Sequence, residues 1–309
     1  MDTCRAAVFV GADLPFEVQE FPILPVEPGG ALVRMQMAAI CGTDAHAMHL
    51  AATPAPTIFG HENLGVVTEL PPSITNDVLG EPLHAGDRVI FRDAPCGRCF
   101  RCSMGESCER SRSYGMIRAD APPHLRGGFG QYVQLSPTPW LLRVPDDVSN
   151  ERALLSVIGN HTVLNGIERI GGINIGDTVV VQGSGPIGMG GLNQARLAGA
   201  GRVIVIGAPE GRLELARRLG ADDTIALADA PEPGDRVARV MEMTGGRGAD
   251  FVIEASGGLT AYQEGLEMVR IGGRYLVIGQ WTDYGPLPST PTLLTHKVIR
   301  VQGVFSAGP

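Results

Sequence analysis

The 309-residue sequence lacks an excess of positive charge and lacks long apolar runs. Its formal net charge of −8 argues against general binding to nucleic acids or anionic membranes, since both attract basic surfaces. No apolar run reaches the roughly 18 residues that a transmembrane helix needs, and the start, with Asp2, is a poor signal peptide. Because 44 % of the residues are hydrophobic and 19 % are charged, a large core is expected rather than disorder. These features predict a soluble cytoplasmic protein of one large or two ordinary domains.

Cysteine is also scarce, and its distribution is uneven. The chain has six cysteines, and four of them follow the spacing C-x2-C-x2-C-x5-C. Disulfides are disfavoured in a reducing cytoplasm, whereas closely spaced thiolates wrap readily around a tetrahedral zinc ion. The alternative is a set of separate buried or redox-active thiols. The spacing favours a structural zinc site with the ligands Cys96, Cys99, Cys102 and Cys108.

The apolar pattern divides the chain into two parts. Residues 1–150 contain short runs that alternate roughly at period two between turns, which predicts an antiparallel, barrel-like β domain. Residues 151–309 contain Val- and Ile-rich runs between helical patterns, as in strands that are buried on both faces. The alternation predicts an α/β fold with a doubly wound parallel sheet. Its predicted strands cover 177–183, 202–207, 250–256, 274–279 and 297–305.

Three glycines follow the first of these predicted strands in the order G-x-G-x-x-G. Gly183 permits a tight turn, Gly185 lets the backbone approach a pyrophosphate, and Gly188 allows close packing of helix and strand. Pro186 suits the first turn of the following helix, whose N-terminal N–H groups would face the phosphates. A glycine-rich turn without a ligand is the alternative. Strand, glycines and helix together favour a dinucleotide coenzyme.

The end of the second predicted strand bears on the choice between NAD and NADP. An acidic residue commonly binds the adenosine ribose there, but this sequence has Gly207. Without a carboxylate a 2′-phosphate would not be repelled, and Arg212 is near enough in sequence to meet it. Glu210 could bind the ribose instead. The sequence therefore favours NADP only slightly.

A second metal site is indicated by Cys41 and His61. Thiolate and imidazole are good zinc ligands and leave the ion acidic enough to polarise a substrate oxygen. A lone Cys–His pair is weak evidence, but three neighbours strengthen it. Asp44 could accept the second N–H of His61. Thr43 offers a hydroxyl next to the metal, and His46 could pass a proton towards water.

Together these motifs resemble those of the zinc-dependent medium-chain alcohol dehydrogenases. The resemblance implies a GroES-like catalytic domain over residues 1–150 and a Rossmann coenzyme domain over residues 151–309, with the substrate between them. The motifs occur in the family's order along nearly the whole chain. They are CGTDAH (41–46), GHENLG (60–65), GDRV (86–89), the four-cysteine segment, GGFGQYV (127–133), GSGPIG (183–188), GADFVIEASGG (248–258) and GGRYLVIG (272–279).

The resemblance also implies roles for individual residues. Cys41 and His61 would bind a catalytic zinc ion, with Glu62 beside it as a second-sphere residue or an occasional ligand. Thr43 would receive the alcohol proton, and His46 would extend that relay. The four cysteines would bind a structural zinc ion, although their last interval is shorter than is usual in the family. The coenzyme would contact Thr162, Gly183, Gly185, Pro186, Ile187, Gly188, Gly207, Arg212, Ser256 and Ile278.

Two features depart from the family pattern. The family's third catalytic ligand is Cys, Asp or Glu, but a count back from Gly183 puts Ile158 there, and isoleucine cannot bind zinc. Asn160 and His161 lie nearby. His161 could reach the ion, or it could equally line the pocket or contact the substrate, and an inward-turned Glu62 is a third possibility. The sequence also stops at GVFSAGP, so the family's usual C-terminal return to the catalytic domain is expected to be absent.

We expect an oxidoreductase that transfers a hydride between NAD(P) and an alcohol, aldehyde or ketone. Met48, Leu50 and Phe59 favour a partly apolar substrate, unless they belong to the core. A non-catalytic dinucleotide-binding protein without the catalytic zinc is the main alternative, and a zinc-independent reductase of activated alkenes is another. A homodimer or homotetramer is expected, with no nucleic-acid or membrane partner.

Overall fold

The chain forms two compact units. The computed structural model describes residues 2–93, 95–106, 108–110, 113–280 and 285–305. The first unit ends at Val157 and the second begins at Ile158. The boundary predicted from the sequence, between residues 150 and 151, lies a few residues earlier, inside the last helix of the first unit.

The first unit consists mainly of antiparallel strands. In the described part of this unit they form one sheet in the order β2-β1-β4 and another in the order β7-β3-β5-β6-β8. Short helices follow β3, β6 and β8. The strands are β1 (Thr3–Phe9), β2 (Glu17–Pro22), β3 (Ala31–Ala39), β4 (Thr57–Ile58), β5 (Glu62–Glu69), β6 (Arg88–Arg92), β7 (Tyr132–Leu135) and β8 (Trp140–Arg143), and the helices are α1 (Gly42–Ala47), α2 (Phe100–Ser103) and α3 (Asn150–Leu155).

The register of β3 and β5 brings two distant segments together. Ala39 at the end of β3 pairs with Glu62 at the start of β5. The chain therefore leaves β3 towards α1 at the place where it enters β5. Beneath this junction Phe59 stacks on Phe9 with ring centroids 4.9 Å apart, and Ala47 of α1 packs on both rings. Phe59 is fully buried, so it belongs to the core and not to a substrate surface.

The second unit is a parallel sheet covered by helices. Within the described residues the strand order is β11-β10-β9-β12-β13-β14, which is the doubly wound order with its switch point beside the central strand β9. The strands are β9 (Thr178–Gln182), β10 (Arg202–Gly207), β11 (Asp223–Ala226), β12 (Ala249–Glu254), β13 (Val269–Val277) and β14 (Arg300–Gly303). The helices are α4 (His161–Ile170), α5 (Pro186–Leu197), α6 (Glu210–Arg218), α7 (Pro233–Met243), α8 (Ala261–Met268) and α9 (Thr292–His296).

Each face of this sheet has its own apolar core. On one face, α4, α5 and α6 pack on side chains such as Val181 and Ile253. On the other, α7, α8 and α9 pack on side chains such as Val180 and Val252. Alternate residues of one strand therefore enter opposite cores, and the predicted runs of Val and Ile follow from this double burial.

The α/β fold with a parallel doubly wound sheet was predicted correctly, but some edge elements were not. β2, β4, β8 and β11 were not identified from the sequence. β2 has a mostly exposed pattern and β11 has four residues at a sheet edge, so neither carries a strong apolar signal. Among the described helices, none is both long and apolar enough to cross a membrane.

Candidate metal centres and coenzyme site

Three potential metal ligands meet where β3, α1 and β5 join. Cys41 occupies the N-cap of α1, His61 directly precedes β5, and Glu62 is the first residue of β5. One ligand atom from each residue lies within 4.8 Å of the other two. All three residues belong to the first unit. We call this set the Cys–His–Glu centre.

Asp44 is a buried carboxylate next to Cys41 and His61 of this centre. Its side chain is 3 % exposed, and its Oδ2 accepts a hydrogen bond of 2.9 Å from the backbone N–H of Cys41. Its Oδ1 lies 3.5 Å from Nδ1 of His61. Asp44 thus fixes the start of α1 and lies beside the imidazole of His61. That Asp44 accepts the second N–H of His61 stays a prediction, because neither of these two atoms has a hydrogen-bond partner among the described residues.

The electrostatics of the centre suit a cation. Burial by itself would lower the pKa of His61, but attraction from Asp44 and Cys41 outweighs burial and raises the pKa to about 10. Burial also raises the pKa of Glu62. One carboxylate oxygen of Glu62 is buried without a hydrogen-bond partner in the described chain. A sulfur, an imidazole nitrogen and an unsatisfied carboxylate oxygen form a donor set that fits zinc.

The predicted proton-relay residues lie on α1. Oγ1 of Thr43 is 3.8 Å from Sγ of Cys41, so the hydroxyl adjoins the centre. His46 is exposed, three residues further along the same helix. Residues at this spacing lie on one side of a helix, so His46 and Thr43 share a face of α1.

The residues considered for a third ligand belong to the second unit, apart from Glu62. Ile158 and Gly159 interrupt the helical path between α3 and α4, with φ of −69° and 74° respectively. Asn160 and His161 follow at the start of α4. Within the described part of the first unit, Glu62 lies in one ligand set with Cys41 and His61.

The four-cysteine segment forms a second centre. All four sulfur atoms lie within 4.8 Å of one another. The Cys96–Cys102 and Cys99–Cys108 sulfur pairs are each 3.9 Å apart, close to the roughly 3.8 Å expected for tetrahedral thiolates about 2.3 Å from zinc. The short last interval therefore does not prevent a tetrahedral arrangement.

Backbone N–H groups point at these sulfurs. Cys108 accepts from the N–H of Cys96 and from that of Arg110, both at 3.3 Å, and Cys99 accepts from Cys102 at 3.4 Å. The donors from Cys96 and Arg110 lower the pKa of Cys108 to about 6. N–H donors stabilise thiolates, which are the metal-binding form. All six cysteines lie in the described chain as free thiols.

The glycine motif forms the predicted strand-turn-helix. Gly183 follows β9 with φ of 114°, and Gly185 is the N-cap of α5, with Pro186 in the first turn. A Cβ on Gly188 would lie 1.9 Å from the carbonyl oxygen of Gly183, whereas a Cβ on Gly185 would meet nothing within 4 Å. The open side of Gly185 leaves room for a phosphate beside the helix N-terminus.

A buried serine explains the glycine at the end of β10. The Ser184 side chain is 5 % exposed and donates a hydrogen bond of 2.8 Å to the carbonyl of Ala208. A Cβ on Gly207 would lie 2.4 Å from Oγ of Ser184. Any side chain at 207, including an acidic one, would clash. Glu210 is bound to Arg217, while Arg212 is exposed one turn into α6.

Other predicted coenzyme residues lie near the carboxyl ends of the strands. Ser256 is exposed in the turn after β12. Ile278 follows β13 and borders a cavity of about 300 Å³ together with Val304 and Phe305. Ile187 lies in the first turn of α5, and Thr162 lies in the first turn of α4. In doubly wound sheets, ligands bind at this edge.

Two functional candidates were missed or undervalued in the sequence. Ser184 occupies a variable position of the glycine motif, so no pattern singled it out. Glu254 appeared only within a family motif, yet its side chain has no exposed surface. A carboxylate at the end of an apolar strand was the available signal.

Family models match both units. An alcohol dehydrogenase GroES-like domain matches residues 27–146, and a zinc-binding dehydrogenase domain matches residues 186–309. The fold and site therefore define a two-domain zinc- and dinucleotide-dependent oxidoreductase.

Individual relatives agree with these matches. The chain is 37 % identical to 5-exo-hydroxycamphor dehydrogenase of Pseudomonas putida, over 100 % of this chain and 85 % of that protein. It is 32 % identical to L-threonine 3-dehydrogenase of Bacillus subtilis, over 92 % of this chain and 78 % of that protein.

Solved structures are similar along nearly the whole chain. An alcohol dehydrogenase of Thermotoga maritima has a TM-score of 0.92 and 32 % identity, over 99 % of this chain and 86 % of that one. A protein of Sinorhizobium meliloti described as a zinc-binding dehydrogenase bound to NADP has a TM-score of 0.86 and 25 % identity, over 100 % of this chain and 86 % of that one.

The chain belongs to the zinc-dependent medium-chain alcohol dehydrogenase family. It is a zinc- and NAD(P)-dependent oxidoreductase that acts on an alcohol or carbonyl substrate, as predicted. The non-catalytic alternative is not supported, because the relatives are dehydrogenases.

Proposed function

We propose that this enzyme interconverts a secondary alcohol and a ketone at a zinc ion held by Cys41, His61 and Glu62. The observation that carries the proposal is the convergence of these three ligand atoms within 4.8 Å inside one unit. Glu62 takes the place of the ligand that other family members supply at the position of Ile158. When bound, zinc supplies a Lewis acid that stabilises the alkoxide form of the substrate.

Each residue around the ion has its own task. Asp44 holds the imidazole of His61 and the backbone of Cys41 in place. The hydroxyl of Thr43 would accept the proton of the alcohol while releasing its own proton towards His46, and exposed His46 would pass a proton to water. Residues 183–188 would anchor the dinucleotide, which would serve as the hydride acceptor when bound.

The substrate class follows from the relatives and from the surface near α1. Hydroxycamphor and L-threonine, which the relatives' names specify, both carry a secondary alcohol at the named position. Ile40, directly before Cys41, is 77 % exposed, and Leu50 is 42 % exposed. An exposed apolar side chain next to Cys41 in sequence supports an alicyclic or other apolar secondary alcohol over an amino acid.

The enzyme uses NADPH at least as well as NADH. Packing against Ser184 keeps position 207 free of a carboxylate that would repel a 2′-phosphate. Arg217 engages Glu210, and Arg212 supplies a nearby positive charge. The NADP in the Sinorhizobium meliloti structure is consistent with such a site in a related chain.

Assembly and location complete the proposal. We propose a homodimer or homotetramer, as is usual in the family, and a cytoplasmic location. The cysteines are free thiols, which suits a reducing compartment in which they can bind zinc. Size-exclusion chromatography with light scattering measures the assembly directly.

Metal analysis combined with steady-state kinetics tests the main proposal. We expect two zinc ions per chain, and turnover of alicyclic secondary alcohols that exceeds turnover of L-threonine and of primary alcohols. The ratio of kcat/KM for NADPH to that for NADH should be one or more. A single zinc ion per chain, or a strong preference for NADH, would contradict the corresponding part.

A further inference from the structure

A buried carboxylate lies at the coenzyme end of the parallel sheet. Glu254 is the last residue of β12, and its side chain is 0 % exposed. One oxygen accepts three hydrogen bonds of 2.8 Å, from the N–H and hydroxyl of Ser256 and from the N–H of Gly257. The other oxygen has no hydrogen-bond partner among the described residues.

The carboxylate fixes the turn that follows β12. Ser256 Oγ accepts in turn from the N–H of Gly258 at 3.1 Å. The backbone carbonyl of Glu254 accepts from the N–H groups of Ile278 and Gly279 at 2.9 and 3.0 Å. One residue thus connects the turn after β12 with the chain after β13.

The turn after β12 packs closely against two glycines, Gly183 and Gly279. A Cβ on Gly183, in the phosphate loop, would lie 2.8 Å from the carbonyl oxygen of Ala255. A Cβ on Gly279 would lie 2.5 Å from the N–H nitrogen of Gly257. The loops after β9, β12 and β13 are therefore in direct contact, and a shift of the middle turn would displace the phosphate loop.

Stability alone does not explain a glutamate here. Burial of a carboxylate is unfavourable unless its oxygens are satisfied, and one oxygen of Glu254 is not. A carboxylate at position 254 can instead hold the turn more strongly than a neutral acceptor could, because hydrogen bonds to an ionised group are roughly twice as strong as neutral ones. A rigid turn lowers the entropy lost when a coenzyme binds to it.

We propose that Glu254 is a positioning residue for the coenzyme, which presets the 255–258 turn against the phosphate loop. The inference rests on the proposed coenzyme site at residues 183–188 and 256. Glu254 itself is buried beneath the turn and acts through Ser256 and Gly257.

The test compares Glu254→Gln with Asp250→Asn. Asp250 is a matched control because it is a buried carboxylate on the same strand, at the opposite end of the sheet, where it pairs with Arg247 and Arg270. Binding of NADH and NADPH is measured by fluorescence titration, alongside Tm, zinc content and kinetics.

We expect Glu254→Gln to raise the coenzyme Kd about fivefold to tenfold, roughly 1 kcal/mol, with zinc content, kcat and the alcohol KM nearly unchanged. Asp250→Asn should lower Tm and leave the coenzyme Kd within twofold. An unchanged Kd in a folded Glu254→Gln variant would overturn the inference, as would an equal rise in Kd in the control.

The variant Ser256→Ala distinguishes an effect on the position of the 255–258 turn from a general loss of protein stability. If Glu254 acts partly through Ser256, the loss of coenzyme affinity in the double variant should be smaller than the sum of the two single losses, because the two changes disrupt one shared interaction. Fully additive losses contradict the inference. Absence of coenzyme binding in the wild-type enzyme would instead refute the proposed site itself.

Discussion

The two metal centres differ in how far apart their ligands lie in the sequence. The four cysteine ligands fall between residues 96 and 108, and backbone N–H groups of the same segment point at their sulfurs. The ligands of the Cys–His–Glu centre come from two segments, joined by the pairing of Ala39 with Glu62. The four-cysteine centre forms within a single loop, whereas the Cys–His–Glu centre depends on the pairing of two strands.

The difference bears on what each centre can do. Four thiolates complete a tetrahedral set, which leaves zinc no position for a substrate and suits a structural role. Three protein ligands leave a fourth position open, as in catalytic zinc sites. Thr43 lies beside the open set, whereas the described part of the four-cysteine segment contributes no comparable relay. The predictions below test this division of roles.

The largest effect is expected from Cys41→Ser. Loss of the thiolate removes the catalytic zinc, so kcat/KM should fall by at least about a thousandfold, given that a Lewis acid contributes several kcal/mol. Zinc content should fall from two ions per chain to one, and the coenzyme Kd should not change. Retained full turnover would exclude zinc-assisted hydride transfer at this centre.

Glu62→Gln should weaken catalytic zinc binding by at least about tenfold to a hundredfold, because a neutral amide replaces an anionic ligand. Competition with a fluorescent zinc chelator measures the affinity. Adding Ile158→Cys to this variant should restore part of the affinity, since the resemblance assigns position 158 to the family's third ligand. Unchanged affinity in Glu62→Gln would remove Glu62 from the ligand set.

Cys99→Ser should act on stability more than on rate. A three-thiolate segment holds zinc less tightly, and metal binding stabilises only the folded form. We expect a Tm lowered by several degrees, with turnover per folded, zinc-loaded active site within about twofold of the parent. A variant as heat-stable as the parent would count against a structural ion.

The smallest effect is a difference in rate of metal loss. Under a moderate chelator excess, the open Cys–His–Glu centre should lose zinc before the closed four-cysteine centre, because its fourth position admits a competing ligand. Activity should therefore decay before Tm changes. Simultaneous loss of both would show that the two centres are equally accessible.

The sequence predicted elements with strong local signals. The glycines at 183, 185 and 188 required a strand before them and a helix after them, and β9 and α5 take those places. The buried parallel strands were read from Val and Ile, because burial on both faces leaves no polar alternation. β11 and β2 were not predicted from the sequence, because short or exposed edge strands bury little apolar surface.

The candidate site was less fully predictable. Cys41 and His61 were paired on weak evidence from ligand chemistry and neighbouring residues, and the family resemblance strengthened the pairing, since nothing local links residues so far apart. Phe59 looked like a possible substrate contact, but its ring stacks on Phe9 in the core. Ser184 carried no distinctive pattern, and Glu254 was marked only by its place at the end of an apolar strand. The contacts of both appear only when neighbouring loops are packed together.

The sequence by itself determined the four-cysteine centre, the phosphate loop and the alternation of strands and helices, because each depends on contacts within a few residues. The tertiary structure decided which carboxylate lies beside Cys41 and His61, why position 207 excludes a side chain, and how Glu254 connects a turn that contacts Gly183. These outcomes depend on the register between strands and on the packing of loops that are distant in sequence.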